Sequence, residues 1–199
     1  MKNSSRVEWN IMKIVGLSGS NVGSKTKTAM NYALKEVANK YPEAEITLID
    51  LTEVELVFSD GRHYEDYEGD TKMVTRTIME ADIVIIGTPV FQASIPAVLK
   101  NVFDLLPQRA LENKIVSVFV TAGSSKHYLM VEHQLMPILT YLKAHVVPQY
   151  VFIEDVDFHR KEIINDDVLF RIERLVEDTF AMAKAFSEIR QVKELEYGF

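Results

Sequence analysis

The stretch Ser18-Gly-Ser20-Asn-Val-Gly-Ser24-Lys25-Thr26-Lys27-Thr28 offers hydroxyls, two ammonium groups and unhindered backbone, a donor set suited to a phosphate. It follows a short apolar run that starts at Lys13. It precedes Met30, Ala33, Leu34 and Val37, which recur at helical spacing. A strand that passes through small residues into a helix start aims several backbone N–H groups at one point. The helix end also carries partial positive charge there. Ser18, Ser20, Ser24, Thr26 and Thr28 add hydroxyls, and Lys25 and Lys27 add charge. No Asp or Glu occurs from Trp9 to Lys35, where a chain with 29 acids in 199 residues would place about four. The plain alternative is a serine-rich turn with an ordinary helix cap. The long acid-free run favours the anion site.

Which phosphate ligand is a separate question. Gly19-Ser-Asn-Val-Gly-Ser24-Lys25-Thr26 comes close to the nucleotide-binding pattern G-x-x-x-x-G-K-[ST], with Ser24 where the second glycine belongs. Such an enzyme also needs a strand-end carboxylate for Mg²⁺. The apolar run Asp82-Ile-Val-Ile-Ile-Gly-Thr-Pro89 ends without one, and Asp50 reads as the start of a loop. Other chemistries are poorly supplied. With no cysteine, the chain has no disulfide, thiolate metal site or cysteine nucleophile. His127 and His133 are six apart on a helical stretch and do not share a face, so no metal site is expected. Asp155/Asp157 and Asp166/Asp167 read as loop and helix-start charges. The net charge of −7 argues against nucleic acid and anionic membranes. No run approaches the roughly 20 apolar residues of a membrane span. A cytoplasmic protein is expected.

The elements that must position these groups alternate. Residues 1–11 read as an N-terminal arm, with Met12 a second possible start. A strand from Lys13, a helix to Tyr41-Pro42 and a strand over Glu45–Leu51 come first. A long polar connection, Thr52–Asp70, contains Ser59-Asp60-Gly61-Arg62. It is a loop of a length that is either functional, an interface, or solvated. A helix over Asp70–Glu80 is expected to turn Met73, Thr77 and Ile78 inward. The third strand, Asp82–Thr88, is the most continuously apolar and so central. Ser94 is expected to cap a helix with Pro96 in its first turn and Pro107 at its end. A fourth strand, Lys114–Thr121, leads into Ala122-Gly-Ser-Ser-Lys126. A helical stretch to about Ala144 follows, kinked or broken at Pro137. A fifth strand over Val146–Glu154, at an edge because of Pro148, and a long helix over Asp166–Arg190 complete the chain. Its inward face is Val168, Ile172, Leu175, Val176, Thr179, Phe180 and Ala183. The expectation is one α/β domain over 1–199: a doubly wound five-stranded parallel sheet, order 2-1-3-4-5, with helices on both faces. Ligands of such sheets sit beyond the carboxyl ends of the strands, at the switch point. Ser18–Thr28 would then face Thr88–Ser94, with Thr121–Lys126 alongside.

Gly16-Leu-Ser-Gly-Ser20 with its Ser/Thr/Lys loop, and Gly87-Thr-Pro-Val-Phe91-Gln-Ala-Ser94-Ile-Pro96-Ala-Val-Leu-Lys100-Asn101-Val-Phe-Asp104, together resemble the NAD(P)H-dependent FMN reductases of flavodoxin-like fold. The resemblance spans about Lys13–Asp157. It is nearest the branch of sulfonate-starvation flavin reductases and azoreductase-like enzymes. The Pro-x-aromatic-x-x-Ser-x-Pro-x-x-Leu-Lys-Asn run is its specific part. By resemblance, Ser20 and Ser24–Thr28 hold the FMN phosphate. Pro89, Val90, Phe91 and Gln92 line the isoalloxazine. Thr121, Ala122, Gly123, Ser124 and Ser125 offer N–H groups to its pyrimidine end. Family members often carry an arginine where Val22 stands and a tyrosine where Phe91 stands.

The resemblance implies hydride transfer from NADPH or NADH to FMN, then to flavin, quinone or azo acceptors. The cofactor carries the chemistry and no catalytic side chain is expected. Arg62, Arg109 and Lys126 are candidates for a 2′-phosphate of NADPH. A homodimer or homotetramer is implied, with the final helix and the Thr52–Asp70 loop as contact candidates. Two alternatives stay open: a flavodoxin-type electron carrier without its own NADPH site, and a P-loop-like phosphotransferase.

Overall fold

The computed structural model describes residues 11–197. The expected N-terminal arm therefore lies, except for Ile11, outside the described residues. Strands β1 (Lys13–Ser18), β2 (Glu45–Asp50), β3 (Ile83–Pro89) and β4 (Ile115–Ala122) pair in parallel, in the order β2-β1-β3-β4. Two short strands, β5 (His145–Val146) and β6 (Val151–Glu154), both pair with β4. They replace the single fifth strand expected over Val146–Glu154. Pro148 lies in the interruption and has no N–H to give the ladder. The order 2-1-3-4-5 holds.

Every residue of β3 and β4 is buried, which is what helices on both faces require. Alternate side chains feed two cores. One joins Ile14, Ile83, Ile85, Ile115 and Phe119 to α1 (Lys25–Lys40) and α5 (Asp166–Tyr197). The other joins Val15, Val84, Ile86, Val116 and Val118 to α2 (Gly69–Glu80), α3 (Ala97–Leu105) and α4 (Met136–Tyr141). All seven residues expected on the inner face of α5 are buried there. Each large apolar side chain so buried contributes about 1.5–3 kcal/mol.

Two local expectations are corrected. In α2 the buried face is Thr71, Val74, Thr75 and Ile78, while Met73 is 43% exposed and Thr77 only partly covered. Buried threonines are tolerated because the Thr75 hydroxyl donates to the Thr71 carbonyl at 3.0 Å, and the Thr71 hydroxyl accepts the Val57 N–H at 3.1 Å. Helix α3 opens at Ala97 with Pro96 as its cap residue. Ser94 does not cap it and instead contacts Gln134 at 3.2 Å. Before α4 the chain makes a short 3₁₀ turn (Ser125–His127) and a π turn (Val131–Leu135), and Pro137 sits in the first turn of α4. The change from π turn to α-helix at Met136 is the break expected at Pro137.

The connection between β2 and α2 is fastened to α3. The Asn101 amide donates to the Val57 carbonyl at 2.9 Å and accepts the Ser59 N–H at 3.0 Å. Tyr67 is buried, and its hydroxyl donates to Asp60 at 3.0 Å. The ion pair with Arg62, against a smaller burial penalty, holds the Asp60 carboxyl at about 2.

Candidate functional site

The strand carboxyl ends bring three segments together. The Gly19 N–H donates to the Gly87 carbonyl at 2.7 Å, tying the first loop to β3. The Val90 N–H donates to the Thr121 carbonyl at 3.0 Å, tying the loop after β3 to β4. The Thr26 and Thr121 hydroxyls share a buried hydrogen bond of 2.8 Å across 95 residues of sequence, tying the first turn of α1 to the end of β4. Two glycines permit this closeness. A Cβ on Gly87 would stand 2.4 Å from the Phe119 ring, and one on Gly19 would stand 2.9 Å from the Gly87 carbonyl oxygen.

The α1 end is an uncapped donor cluster. At the cap position the Ser24 carbonyl accepts the Thr28 N–H at 2.8 Å but the Ser24 side chain makes no cap bond, and no acid lies in the first turn. The preceding loop is tied to itself, because the Ser20 hydroxyl donates to the Val22 carbonyl at 2.5 Å. Ser18 lies at the end of β1 on the face that packs against α1. Its hydroxyl is buried with no hydrogen-bond partner among the described residues. These groups fit an oxyanion seated at the helix start.

The lysines and threonines expected at this seat already have partners within the protein. The Lys25 ammonium lies 2.7 Å from Asp155, and the Lys27 ammonium lies 2.7 Å from Asp50 and also contacts Glu53. Both charges are spent on carboxylates. Asp50, then Glu53, raise the Lys27 pKa well above the usual lysine range. Burial pushes the Asp50 carboxyl up, but Lys27 and Thr52 outweigh it and hold the group below its usual range. The Thr28 hydroxyl donates to the Lys161 carbonyl at 3.3 Å, and Thr26 is engaged with Thr121. The Ser18 and Ser24 hydroxyls and the first-turn backbone N–H groups keep unused hydrogen-bonding capacity. Asp50, the residue weighed for the Mg²⁺ carboxylate of a P-loop phosphotransferase, ends β2 paired with Lys27.

The other half of the rim is open and apolar. Pro89 ends β3, and Val90 is partly covered. Phe91 is 36% exposed. Phe91 and Ser94 exchange N–H···O bonds of 2.9 Å, closing a tight turn in which Gln92 (φ 48°) and Ala93 (φ 63°) are both left-handed. Such backbone costs a non-glycine residue about 1–2 kcal/mol. Facing this turn across the Val90–Thr121 bond are Thr121 and Ala122, both buried, and then Gly123, Ser124 and Ser125. A Cβ on Gly123 would meet nothing within 4 Å.

Of the candidates for a 2′-phosphate, Arg109 is displaced. It precedes β4 at the opposite rim, paired with Glu112. Arg62 is paired with Asp60. An apolar hollow of about 300 Å³, lined by Met12, Tyr41 and Phe180 among others, also lies at that opposite rim and lacks the hydroxyl and N–H cluster. The sequence reading missed a hairpin, β7 (Phe158–His159) and β8 (Glu162–Ile163). Its turn residues are Arg160 and Lys161, where an Asn-Gly pair would have announced it.

Comparison with known proteins agrees with this architecture. The family model for NADPH-dependent FMN reductase matches residues 12–157. A Geobacillus thermodenitrificans NAD(P)H-dependent FAD/FMN reductase is 38% identical over 165 residues, covering 82% of this chain and 89% of that relative. A Pseudomonas aeruginosa FMN reductase (NADPH) is 25% identical over 181 residues, covering 90% of this chain and 97% of that relative. The crystal structure of an NADH:FMN oxidoreductase in its apo form superposes with a TM-score of 0.72 at 26% identity, covering 84% of this chain and 88% of that one. With its flavodoxin-like sheet and the matched span from Met12 to Asp157, this chain belongs to the NADPH-dependent FMN reductase family, oxidoreductases that use NAD(P)H and FMN.

Proposed function

We propose that the rim holds FMN with its phosphate at the start of α1 and its ring against the Phe91–Ser94 turn, and that NADPH or NADH reduces it there for a flavin, quinone or azo acceptor. FMN, when bound, supplies the hydride and electron chemistry. The Ser24 hydroxyl and the N–H groups of the first turn of α1 hold the phosphate. Pro89, Val90, Phe91 and Gln92 orient the ring. N–H groups of Thr121–Ser125 face its pyrimidine end, where they favour negative charge on the reduced form. No side chain is assigned a proton transfer. Holding two rings in register removes much of the entropy cost of their encounter, up to about 7–11 kcal/mol.

The observation that carries the reading is the trio of cross-loop hydrogen bonds, Gly19–Gly87, Val90–Thr121 and Thr26–Thr121, which joins the phosphate half of the rim to the ring half. A steady-state assay with NADPH and with NADH, each with and without added FMN, tests it. FMN-dependent oxidation of either nucleotide is the expected result, and oxidation indifferent to flavin would refute the reading.

The same reading includes a second copy of the chain. Phe58 is 79% exposed and Val57 52% exposed on a loop fastened to α3, so their apolar surface is held ready for a partner. Sedimentation of the Phe58→Glu variant as a smaller species is expected. A cytoplasmic setting follows from the reductant, which is a cytoplasmic pool.

A further inference from the structure

No Asp or Glu occurs in the sequence from Trp9 to Lys35, yet the fold brings three carboxylates back to the start of α1. Asp50 ends β2 and Glu53 follows it, and both meet Lys27. Asp155 follows β6 and stands 2.7 Å from Lys25. Lys25 and Lys27 are the first and third residues of α1, in the turn to which the function proposed above gives the flavin phosphate. Both pairs join separate elements. Arg76–Glu80, Lys100–Asp104 and Arg171–Asp167, by contrast, are neighbours one turn apart on a single helix.

The two lysines are held with different firmness. The Asp50 side chain is 1% exposed, and a carboxylate buried so deeply loses its cation only at a large penalty. Lys27 is therefore committed to Asp50 whatever else binds. The Asp155 side chain is 51% exposed and that of Lys25 41% exposed. An ion pair this open is screened by water and salt and contributes little to stability, so its ammonium can trade one anion for another. The position of Asp155 itself is fixed. In the same turn the Asp157 carboxylate accepts the Glu154 N–H at 2.8 Å and the Asn165 amide at 2.7 Å. Lys25 also stands 5.8 Å over the Phe158 ring, which draws it to the Asp155 side.

We propose that Asp155 is a specificity-determining residue: it withholds the Lys25 charge from the phosphate and so limits how far the seat prefers a phosphorylated flavin to an unphosphorylated one. The proposal rests on the flavin phosphate lying at α1. The Ser24 hydroxyl and the first-turn N–H groups are neutral donors. An ammonium released from Asp155 adds a charge-assisted bond to them, which is the stronger kind. Affinity differences within one site lie mostly in the off-rate, so the pair also shortens the stay of FMN.

The test uses the full-length protein, the Asp155→Asn variant and the double variant Lys25→Met with Asp155→Asn. Dissociation constants of oxidised FMN and of riboflavin are measured for each by quenching of flavin fluorescence. The expected result is a preference for FMN in the wild type and a rise of about fivefold or more in the ratio Kd(riboflavin)/Kd(FMN) in Asp155→Asn. Riboflavin itself binds as before. In the double variant, which removes charge and countercharge together, the ratio returns to the wild-type value. An unchanged or lower ratio in Asp155→Asn would overturn the proposal, as would tighter binding of both flavins alike. A ratio in the double variant well below the wild type would also overturn it, because Lys25 would then already serve the phosphate. In each of these cases a wild type that prefers FMN leaves the proposed function standing. A wild type that binds FMN and riboflavin equally would overturn the phosphate seat at α1 together with the proposal.

Discussion

In the proposed site the two halves of the rim hold their ligand groups by opposite means. The phosphate half is polar, uncapped and built from backbone N–H groups, with its lysines neutralised by Asp155, Asp50 and Glu53. The ring half is apolar, with Phe91 standing on a turn whose Gln92 and Ala93 are both left-handed. At the opposite rim the left-handed residues Arg109, Asn113 and Lys143 occur singly, near helix ends and strand starts, where one such residue is ordinary. Paired strain is found only on the carboxyl-end rim among the described residues. Strain retained where two loops face each other marks positions that the surrounding structure holds for a purpose other than stability.

Separating the halves should give separable losses. The largest effect is expected from Ser24→Asp. Aspartate is a good cap residue, so the helix should survive, but its carboxylate would face the phosphate dianion. The FMN dissociation constant should rise about 100-fold or more, with riboflavin, which lacks the phosphate, nearly unaffected. Equal losses for FMN and riboflavin would break the distinction between the halves. Phe91→Ala removes the ring contact and should raise KM for NAD(P)H about tenfold, leaving the preference for FMN over riboflavin in place. Thr121→Val leaves the buried Thr26 hydroxyl without a partner, and thermal unfolding should report a loss of about 1–3 kcal/mol.

A smaller effect of opposite sign is expected from Gln92→Asn combined with Ala93→Gly. Relief of the turn should raise Tm by a few degrees, about 2–4 °C per kcal/mol in a chain of this size, while weakening the hold on Phe91. The smallest effect is in acid. Because the Asp50 carboxyl titrates below its usual value when folded, its contribution is complete above about pH 4 and is lost as pH falls through the folded value. Wild-type Tm should therefore fall more steeply than that of Asp50→Asn as pH drops below about 4. Parallel curves would show that the pair with Lys27 contributes nothing.

The sheet order was legible because β1, β3 and β4 are short apolar runs separated by helical periodicity, a pattern that leaves few alternatives. The inward face of α5 followed from the same periodicity. In α2 the shorter, threonine-rich pattern was out of phase, because hydroxyls that bond within the helix pack like apolar groups. The small-residue loop before α1 was readable from composition, but the fate of its lysines was not. Their partners Asp50 and Asp155 are distant in sequence, and only the fold brings them close. The two tight turns stayed invisible because neither Gln92-Ala93 nor Arg160-Lys161 carries the glycine or asparagine that usually marks such backbone.

A crystal structure of the FMN complex tests the central claim most directly. The account predicts phosphate oxygens within hydrogen-bond reach of the Ser24 hydroxyl and the first-turn N–H groups of α1, with the ring lying between the Phe91–Ser94 turn and the Thr121–Ser125 loop. A phosphate bound away from α1, or a ring outside those two loops, would contradict it.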